Sequence, residues 1–161
     1  ACMSSTACPL CALKPDQWLW SGAGLQVLAV TDSPFPGYTR VIWQEHVAEM
    51  TDLSEEQRQY IMAAVYVVEQ TQREQLGVTK INLAQFGNQV PHLHWHVVPR
   101  FRNDRHFPSP IWAAPAATQR TATSGTTTAA GTKPLMGCGT GATLTSRTAG
   151  CLSRRFSTSR G

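Results

Sequence analysis

One long helical segment between two groups of short apolar runs limits the folds open to this chain more than any other feature. Residues 54–57, Ser-Glu-Glu-Gln, form a capping box, in which the Ser and Gln side chains bond backbone donors at a helix start. Gly77 follows the last apolar residue as a C-terminal cap. Between them, apolar residues recur at helical spacing: Ile61, Ala64, Val65 and Val68. A helix that ends near Leu76 is predicted.

Strands are predicted on both sides of this helix. Residues 25–30 and 39–43 are apolar, β-branched runs separated by a stretch rich in turn-forming residues. Residues 80–86 and 92–100 are two further runs, separated by a turn at Gly87. Strands, then a helix, then strands favour an α+β fold with an antiparallel sheet of about five strands.

The charge is distributed unevenly. The formal net charge is +4 over 161 residues, but residues 118–161 contain six Lys or Arg and no acid. This segment is rich in Thr, Ser, Gly and Ala, so we expect a domain over residues 1–117 and a disordered basic tail over 118–161. A frame-shifted end would also change composition this abruptly. Phe156 is the only aromatic residue of the tail, so specific nucleic-acid binding is not expected.

Membrane and secretion signals are not found in the sequence. No apolar run reaches the roughly 18 residues of a membrane span, and the N-terminus has no basic region followed by an apolar one. The five cysteines are an odd number, and the pair in Cys8-Pro9-Leu10-Cys11 has the spacing of a metal site. We therefore expect a soluble cytoplasmic protein in a reducing compartment.

Three histidines alternate with apolar residues in the last predicted strand. Side chains on a strand repeat on one face every second residue, so His92, His94 and His96 are predicted to share a face. The alternative is an ordinary solvated strand face, but such faces normally carry Thr, Lys, Glu or Ser. Imidazole can act near neutral pH as a nucleophile, an acid or base, or a metal ligand. The pattern therefore predicts a reaction centre.

Residues 91–100, Pro-His-Leu-His-Trp-His-Val-Val-Pro-Arg, resemble the signature of the histidine-triad (HIT) family, three histidines alternating with apolar residues. The similarity extends from Cys8 to about Ala114, with the strands, the helix, residues 45–47 and residues 87–90 in the order of the family. The resemblance implies a HIT-like fold, a homodimer formed through the helix and a sheet edge, and activity on a purine nucleotide.

The resemblance also assigns catalytic roles. It implies that His94 attacks the α-phosphorus of a nucleotide conjugate to give a nucleotidyl-histidine, which water or another acceptor then resolves. It implies that His96 contacts the phosphate and assists the leaving group, with His92 as the first histidine of the triad. Asn88 and Gln89 stand where the family has polar phosphate-binding groups, although a small hydroxyl residue is common at the position of Gln89.

Two further positions match nucleotide-binding residues of the family. Asp32 resembles the acid that accepts the ribose hydroxyls, and Asn82 resembles an active-site asparagine. Each also has a structural interpretation: an Asp that begins a proline-rich turn, and an ordinary residue at the end of a strand.

The Cys8–Cys11 pair provides two ligands, whereas structural zinc takes four. Many bacterial members of the family complete the site with residues that correspond here to His46 and His92. The resemblance thus implies a structural zinc and no catalytic cofactor. Two plain thiols or a redox pair are the alternatives, and a redox pair would be expected in a thioredoxin-like βαβ context that this sequence lacks.

Two other functions use the same residues. A zinc-dependent hydrolase would bind its metal through His92, His94 and His96, although such residues on one strand are about 6.5–7 Å apart, which is awkward for a single ion. A nucleotide-binding regulator would keep the pocket and turn over negligibly.

Overall fold

The computed structural model describes residues 8–115, which form a five-stranded antiparallel sheet with one long helix. The order of the strands across the sheet is β1-β2-β3-β5-β4. Their bounds are β1 Trp18–Gly22, β2 Leu25–Ala29, β3 Thr39–Trp43, β4 Lys80–Gln85 and β5 His94–Arg100, and α1 spans Glu55–Leu76. This confirms the predicted fold class. The predicted tail, residues 118–161, lies outside the described residues.

The ends of α1 have the caps that the sequence predicts. The hydroxyl of Ser54 accepts a hydrogen bond from the backbone N–H of Gln57, and the Gln57 side chain accepts one from the backbone N–H of Ser54. Gly77 ends the helix in the left-handed conformation, with φ of 59°. Within residues 8–115 no helix has the length and apolar character needed to cross a membrane.

One face of the sheet packs against α1 and holds the largest apolar cluster. Buried helix residues Ile61, Val65 and Val68 contact the sheet there. The β5 residues on this face are the ones that alternate with the histidines, and they are joined by residues of the other strands: Leu25, Val27, Val41, Trp43, Ile81, Trp95 and Val97. Each fully buried aliphatic side chain contributes about 1.5–3 kcal/mol. The helix-packed face is therefore a main source of stability, and it orients β5.

We call the opposite face of the sheet the histidine face, since His94 and His96 project from it. Two small apolar clusters cover its ends. At one end Cys8 and Leu10 of the N-terminal segment pack on Ile42, and at the other Phe35 and Tyr38 pack on Val98. Because Ile42 pairs with His94 in the sheet, the histidines lie between the two clusters.

A turn between β2 and β3 places Tyr38 beside β5. Gly37 has a φ of 79°, and a Cβ on it would lie 2.5 Å from a Leu76 methyl carbon, so both conformation and space favour glycine. The buried Gln72 of α1 donates hydrogen bonds of 2.8 Å to the carbonyl of Gly37 and to the hydroxyl of Thr39. The helix thereby fixes the backbone on both sides of Tyr38.

Arg100 holds the segment that follows β5. Its guanidinium forms a bidentate ion pair with Asp104, at 2.8 and 3.0 Å, and also donates to Asn82 and to the carbonyl of Ser109. The hydrogen bond from Arg100 is the main reason that the pKa of Asp104 is lowered to about 2. This fully paired arginine fastens the segment after β5 to the sheet at Asp104 and Ser109.

Two strand predictions need correction. No sequence pattern locates β1, although about five strands are predicted. The alternation of residues predicts a last strand from residue 92, whereas β5 begins at His94. The backbone N–H of His92 bonds to the carbonyl of Val90, and that of Leu93 bonds to Val47, which ends the regular ladder before His94. As a result, His92 does not share the strand face with the other two histidines.

Candidate active site and metal cluster

The ring of His94 is held in one tautomer by its own chain. Its Nδ1–H donates a 2.6 Å hydrogen bond to the carbonyl oxygen of His92, which leaves the lone pair on Nε2. Burial lowers the pKa of His94, although the carbonyl of His92 acts in the opposite direction. The imidazole is therefore neutral at pH 7, the state in which it can act as a nucleophile.

His96 is hydrogen-bonded to Tyr38. The Tyr38 hydroxyl lies 2.5 Å from Nδ1 of His96. When this hydroxyl donates, the proton of the His96 ring is on Nε2, which is the opposite tautomer to that of His94. Burial lowers the pKa of His96 to about 4, with further contributions from His94 and the positive charge of Arg40. The ring centroids of His94 and His96 are 4.7 Å apart. With the Tyr38 hydroxyl as donor, two neighbouring neutral imidazoles combine an Nε2 lone pair on His94 with an Nε2–H donor on His96.

Two aromatic residues that the sequence analysis did not select adjoin His96. The ring centroids of Phe86 and Trp112 lie 5.8 and 5.4 Å from that of His96, and 4.7 Å from each other. Both are about half exposed. Together with Asn82 and Ala84 they line a groove of about 550 Å³ beside β4. Trp112 is remote in sequence from β5, so no local pattern could have linked it to the histidines.

Arg40 is a third residue near the histidines that the sequence alone did not single out. It pairs directly with His96 across β3 and β5, so the two side chains share the histidine face. Its guanidinium carbon lies 5.9 Å from the centroid of the Tyr38 ring. A charged residue inside the otherwise apolar run of residues 39–43 was the available signal.

Four predicted ligands come together at the end of the sheet. Nδ1 of His92 lies 3.4 Å from Sγ of both Cys8 and Cys11, and Nδ1 of His46 lies 3.3 Å from Cys11 Sγ and from His92 Nδ1. All four atoms lie within 4.8 Å of one another. Tetrahedral zinc, with bonds of about 2.0–2.3 Å, would separate its ligand atoms by about 3.3–3.8 Å. The cluster therefore has the donor types and the spacing of a four-coordinate metal site.

The second ring nitrogen of His92, Nε2, also supports a metal site at this cluster. Its Nε2–H donates a 2.6 Å hydrogen bond to the carbonyl of Trp43, which leaves the lone pair on Nδ1, the atom that faces the cysteines. Within residues 8–115, the groups able to hold a metal include neither His94 nor His96. This geometry does not favour a single metal ion bound by His92, His94 and His96 together.

The four predicted nucleotide-binding residues have different surroundings. Asp32 is exposed on the turn after β2, where its negative charge makes a small contribution to the burial-raised pKa of Tyr38. Asn82 accepts a 2.7 Å hydrogen bond from Arg100 through its amide oxygen. Asn88 and Gln89 are exposed in the loop between β4 and β5, and their side chains make no hydrogen bonds within residues 8–115. The structure thus brings neither Asn88 nor Gln89 into contact with His94.

Comparison with known proteins agrees with this geometry. The family profile described as the HIT domain matches residues 22–103, about half of the chain. The chain belongs to the HIT family. Members of this family bind nucleotides and act on them as hydrolases or transferases. The resemblance predicted from residues 91–100 is therefore confirmed. No curated protein sequence matches the chain significantly.

Solved structures of HIT proteins share the fold. A histidine triad protein from Bradyrhizobium japonicum, blr8122, is 28% identical, with a TM-score of 0.56 over 63% of this chain and 77% of that one. A histidine triad protein from Marinobacter aquaeolei is 26% identical, with a TM-score of 0.56 over 63% and 74%. The protein SMU.412c from Streptococcus mutans, 21% identical with a TM-score of 0.58 over 70% and 77%, is similar in fold.

The Tyr38 hydroxyl should determine the tautomer of this HIT protein's third histidine. In the wild type we expect long-range proton–nitrogen NMR spectra to report Nε2–H for His96 and Nδ1–H for His94 at pH 7. Tyr38→Phe removes the donor to Nδ1, so the His96 signals should shift toward a mixture of tautomers while those of His94 keep their pattern. An unchanged His96 tautomer in Tyr38→Phe would contradict this assignment.

Proposed function

We propose that the protein is a nucleotide hydrolase or nucleotidyltransferase that cleaves at the α-phosphate of a purine nucleotide conjugate through a nucleotidyl-histidine at His94. The observation that carries this proposal is the pair of hydrogen bonds made by the neighbouring rings of His94 and His96. The bond to the carbonyl of His92 leaves the lone pair of His94 on Nε2. In this proposal the Tyr38 hydroxyl donates to Nδ1 of His96, which places the proton of that ring on Nε2.

In the first step, Nε2 of His94 attacks the α-phosphorus. A bond forms between this nitrogen and phosphorus, and the bond from phosphorus to the leaving group breaks with its electron pair. His94 becomes positively charged, and its Nδ1–H bond to the carbonyl of His92 strengthens as that charge develops. Nε2–H of His96 donates to the departing atom, which stabilises the negative charge there.

In the second step, water attacks the same phosphorus and releases a proton, and His94 leaves as a neutral imidazole. This proton replaces the one that a departing amine takes up from solvent in the first step. The products are a nucleoside monophosphate and the free leaving group, an amine or a phosphate chain, with one water consumed. An acceptor other than water would make the reaction a transfer. The reaction needs no metal at the phosphorus, since attack and departure are both assisted by protein groups.

The other predicted residues bind the nucleotide in this proposal. Asp32 is exposed on the side of the site next to Tyr38, where its carboxylate can accept hydrogen bonds from ribose hydroxyls. Asn82 presents its amide NH₂ group, since its oxygen is engaged by Arg100. Asn88 and Gln89 lie on an exposed loop. In this proposal a small movement of the loop toward His94 brings their hydrogen-bond donors to the phosphate.

We further propose that the cluster of Cys8, Cys11, His46 and His92 holds a structural zinc. All four positions of a tetrahedral ion would be filled by protein, so none remains for substrate. The ion would tie the N-terminal segment to the chain just before β5. Its effect on chemistry would be indirect, since the backbone carbonyl of His92 orients His94.

The homodimer implied by the family resemblance belongs to the same proposal. Among the described strands, β4 pairs only with β5, so its outer edge presents backbone groups that a second copy can bind. Exposed residues of α1, such as Tyr66, lie outside the core of the single chain.

Replacing His94 should stop the chemistry and leave nucleotide binding intact. We expect His94→Asn to lower turnover by several orders of magnitude with little change in affinity for AMP, because the lost interaction belongs to the reaction path. His96→Ala should lose about 10²–10⁴-fold, the usual contribution of assistance to a leaving group. Turnover is measured with a nucleoside phosphoramidate and affinity by calorimetry.

The covalent step has its own readout. A rapid quench in alkaline denaturant, where the phosphorus–nitrogen bond survives, followed by peptide mapping should place the nucleotide on the peptide that contains His94. Full activity of His94→Asn, or an adduct on another peptide, would overturn the mechanism. Wild-type protein that binds AMP yet never releases product would instead indicate a nucleotide-binding regulator.

Zinc should stabilise the fold more than it accelerates the reaction. We expect about one zinc per chain in purified protein and almost none in Cys8→Ser, with a lower melting temperature and a smaller proportional loss of turnover. Cys151→Ser is the matched control, since it removes a cysteine that is not one of the four ligands. Metal-free wild-type protein with unchanged stability would remove zinc from the proposal.

A further inference from the structure

Arg40 is a cation on the histidine face that lacks a negative partner. Its Nε atom is buried and makes no hydrogen bond within residues 8–115. Among these residues the ion pair within 4.0 Å is that of Arg100 with Asp104, so no carboxylate neutralises Arg40. A partly buried charge without a partner is costly, which indicates that its partner comes from outside the chain.

A second arginine on the same sheet makes the contrast clear. Arg100 lies on β5, and Asp104, Asn82 and the carbonyl of Ser109 occupy its guanidinium from several sides. Arg40 has instead Tyr38, with the face of the ring at 5.9 Å and a side-chain interaction with the hydroxyl. The first arginine therefore has a complete structural role, whereas the second meets a neutral partner within residues 8–115 and its buried Nε has no hydrogen-bond partner there.

The position of Arg40 identifies what that ligand must be near. Arg40 is opposite His96 in the sheet register, and the ring centroid of His94 lies 4.7 Å from that of His96. Arg40 thus shares the histidine face with both rings. An anion held against the nucleophile would also be held against Arg40.

We propose that Arg40 is a catalytic residue that binds the nonbridging oxygens of the reacting α-phosphate. The planar guanidinium presents two parallel N–H donors, a geometry that matches two phosphate oxygens. While the bond from His94 to phosphorus forms and the bond to the leaving group breaks, negative charge stays on these oxygens, and Arg40 stabilises it without transferring a proton. The ligand class is a nucleotide with an anionic 5′-phosphate.

This inference deepens the proposed function and rests on it for the chemical step, but its test measures binding. Calorimetry compares AMP with adenosine on the full-length wild type, on Arg40→Gln and on Arg40→Lys. We expect the wild type to bind AMP more tightly than adenosine. Arg40→Gln should lose tenfold or more of its AMP affinity and keep its adenosine affinity, and Arg40→Lys should fall between them, since it keeps the charge but not the paired donors.

Arg102→Gln is the matched control, because Arg102 is exposed on the loop after β5. Arg102→Gln should leave the affinities for AMP and adenosine unchanged.

A further measurement uses the unaltered protein. AMP, but not adenosine, should protect Arg40 from modification by phenylglyoxal, as read by peptide mapping. This measurement also decides the matter if the Arg40 variants fail to fold.

Several outcomes would overturn the role of Arg40. They are AMP affinity unchanged in Arg40→Gln, an equal loss of AMP and adenosine affinity, wild-type protein with no preference for AMP, and no protection of Arg40 by AMP. If Arg40 governs AMP binding while no substrate is turned over, the inference stands and the hydrolase proposal falls. If turnover is normal while Arg40→Gln binds AMP like the wild type, the hydrolase proposal stands and the role of Arg40 falls.

Discussion

The hydrogen bond from Nδ1 of His94 to the carbonyl of His92 is the contact on which the account of this site depends. It keeps the lone pair of His94 on Nε2, and it involves the backbone of a residue whose side chain belongs to the cysteine–histidine cluster. His92 is held in turn by the carbonyl of Trp43. One residue thus joins the cysteine–histidine cluster, the end of β3 and the proposed nucleophile. A change in the cluster would therefore be expected to reach the ring of His94 through the backbone of His92.

The two faces of the sheet have different roles, since one contributes to stability and the other holds the candidate active site. Its helix-packed face buries the largest apolar cluster, while the histidine face is covered only at its ends. On this face, Tyr38, Arg40 and Phe86 surround His96 with a hydroxyl group, a cation and an aromatic ring. Burial is the main reason that the pKa of His96 is lowered, so its imidazole is neutral. In the proposed mechanism this neutral ring acts through its N–H, and a nucleotide phosphate supplies the anion that balances Arg40.

Local sequence patterns predicted the elements well because their causes are local. The capping box, the helical spacing and Gly77 defined α1, and alternation within residues 92–97 separated the two faces of β5. Contacts between distant segments were harder to foresee. The ladder of β5 begins only at His94, because the backbone N–H groups of His92 and Leu93 bond to the carbonyls of Val90 and Val47. Trp112 reaches His96 only through the anchored segment after β5. The position of Arg40 beside His96 follows only from the register of β3 and β5.

The central claim is a covalent intermediate on His94, and the configuration at phosphorus tests it most directly. Two successive in-line displacements, first by His94 and then by water, restore the original configuration, whereas one attack by water inverts it. A substrate with a chiral α-phosphorothioate, hydrolysed in water enriched in heavy oxygen, gives a product whose configuration can be read by phosphorus NMR. The account predicts net retention, and net inversion would contradict it.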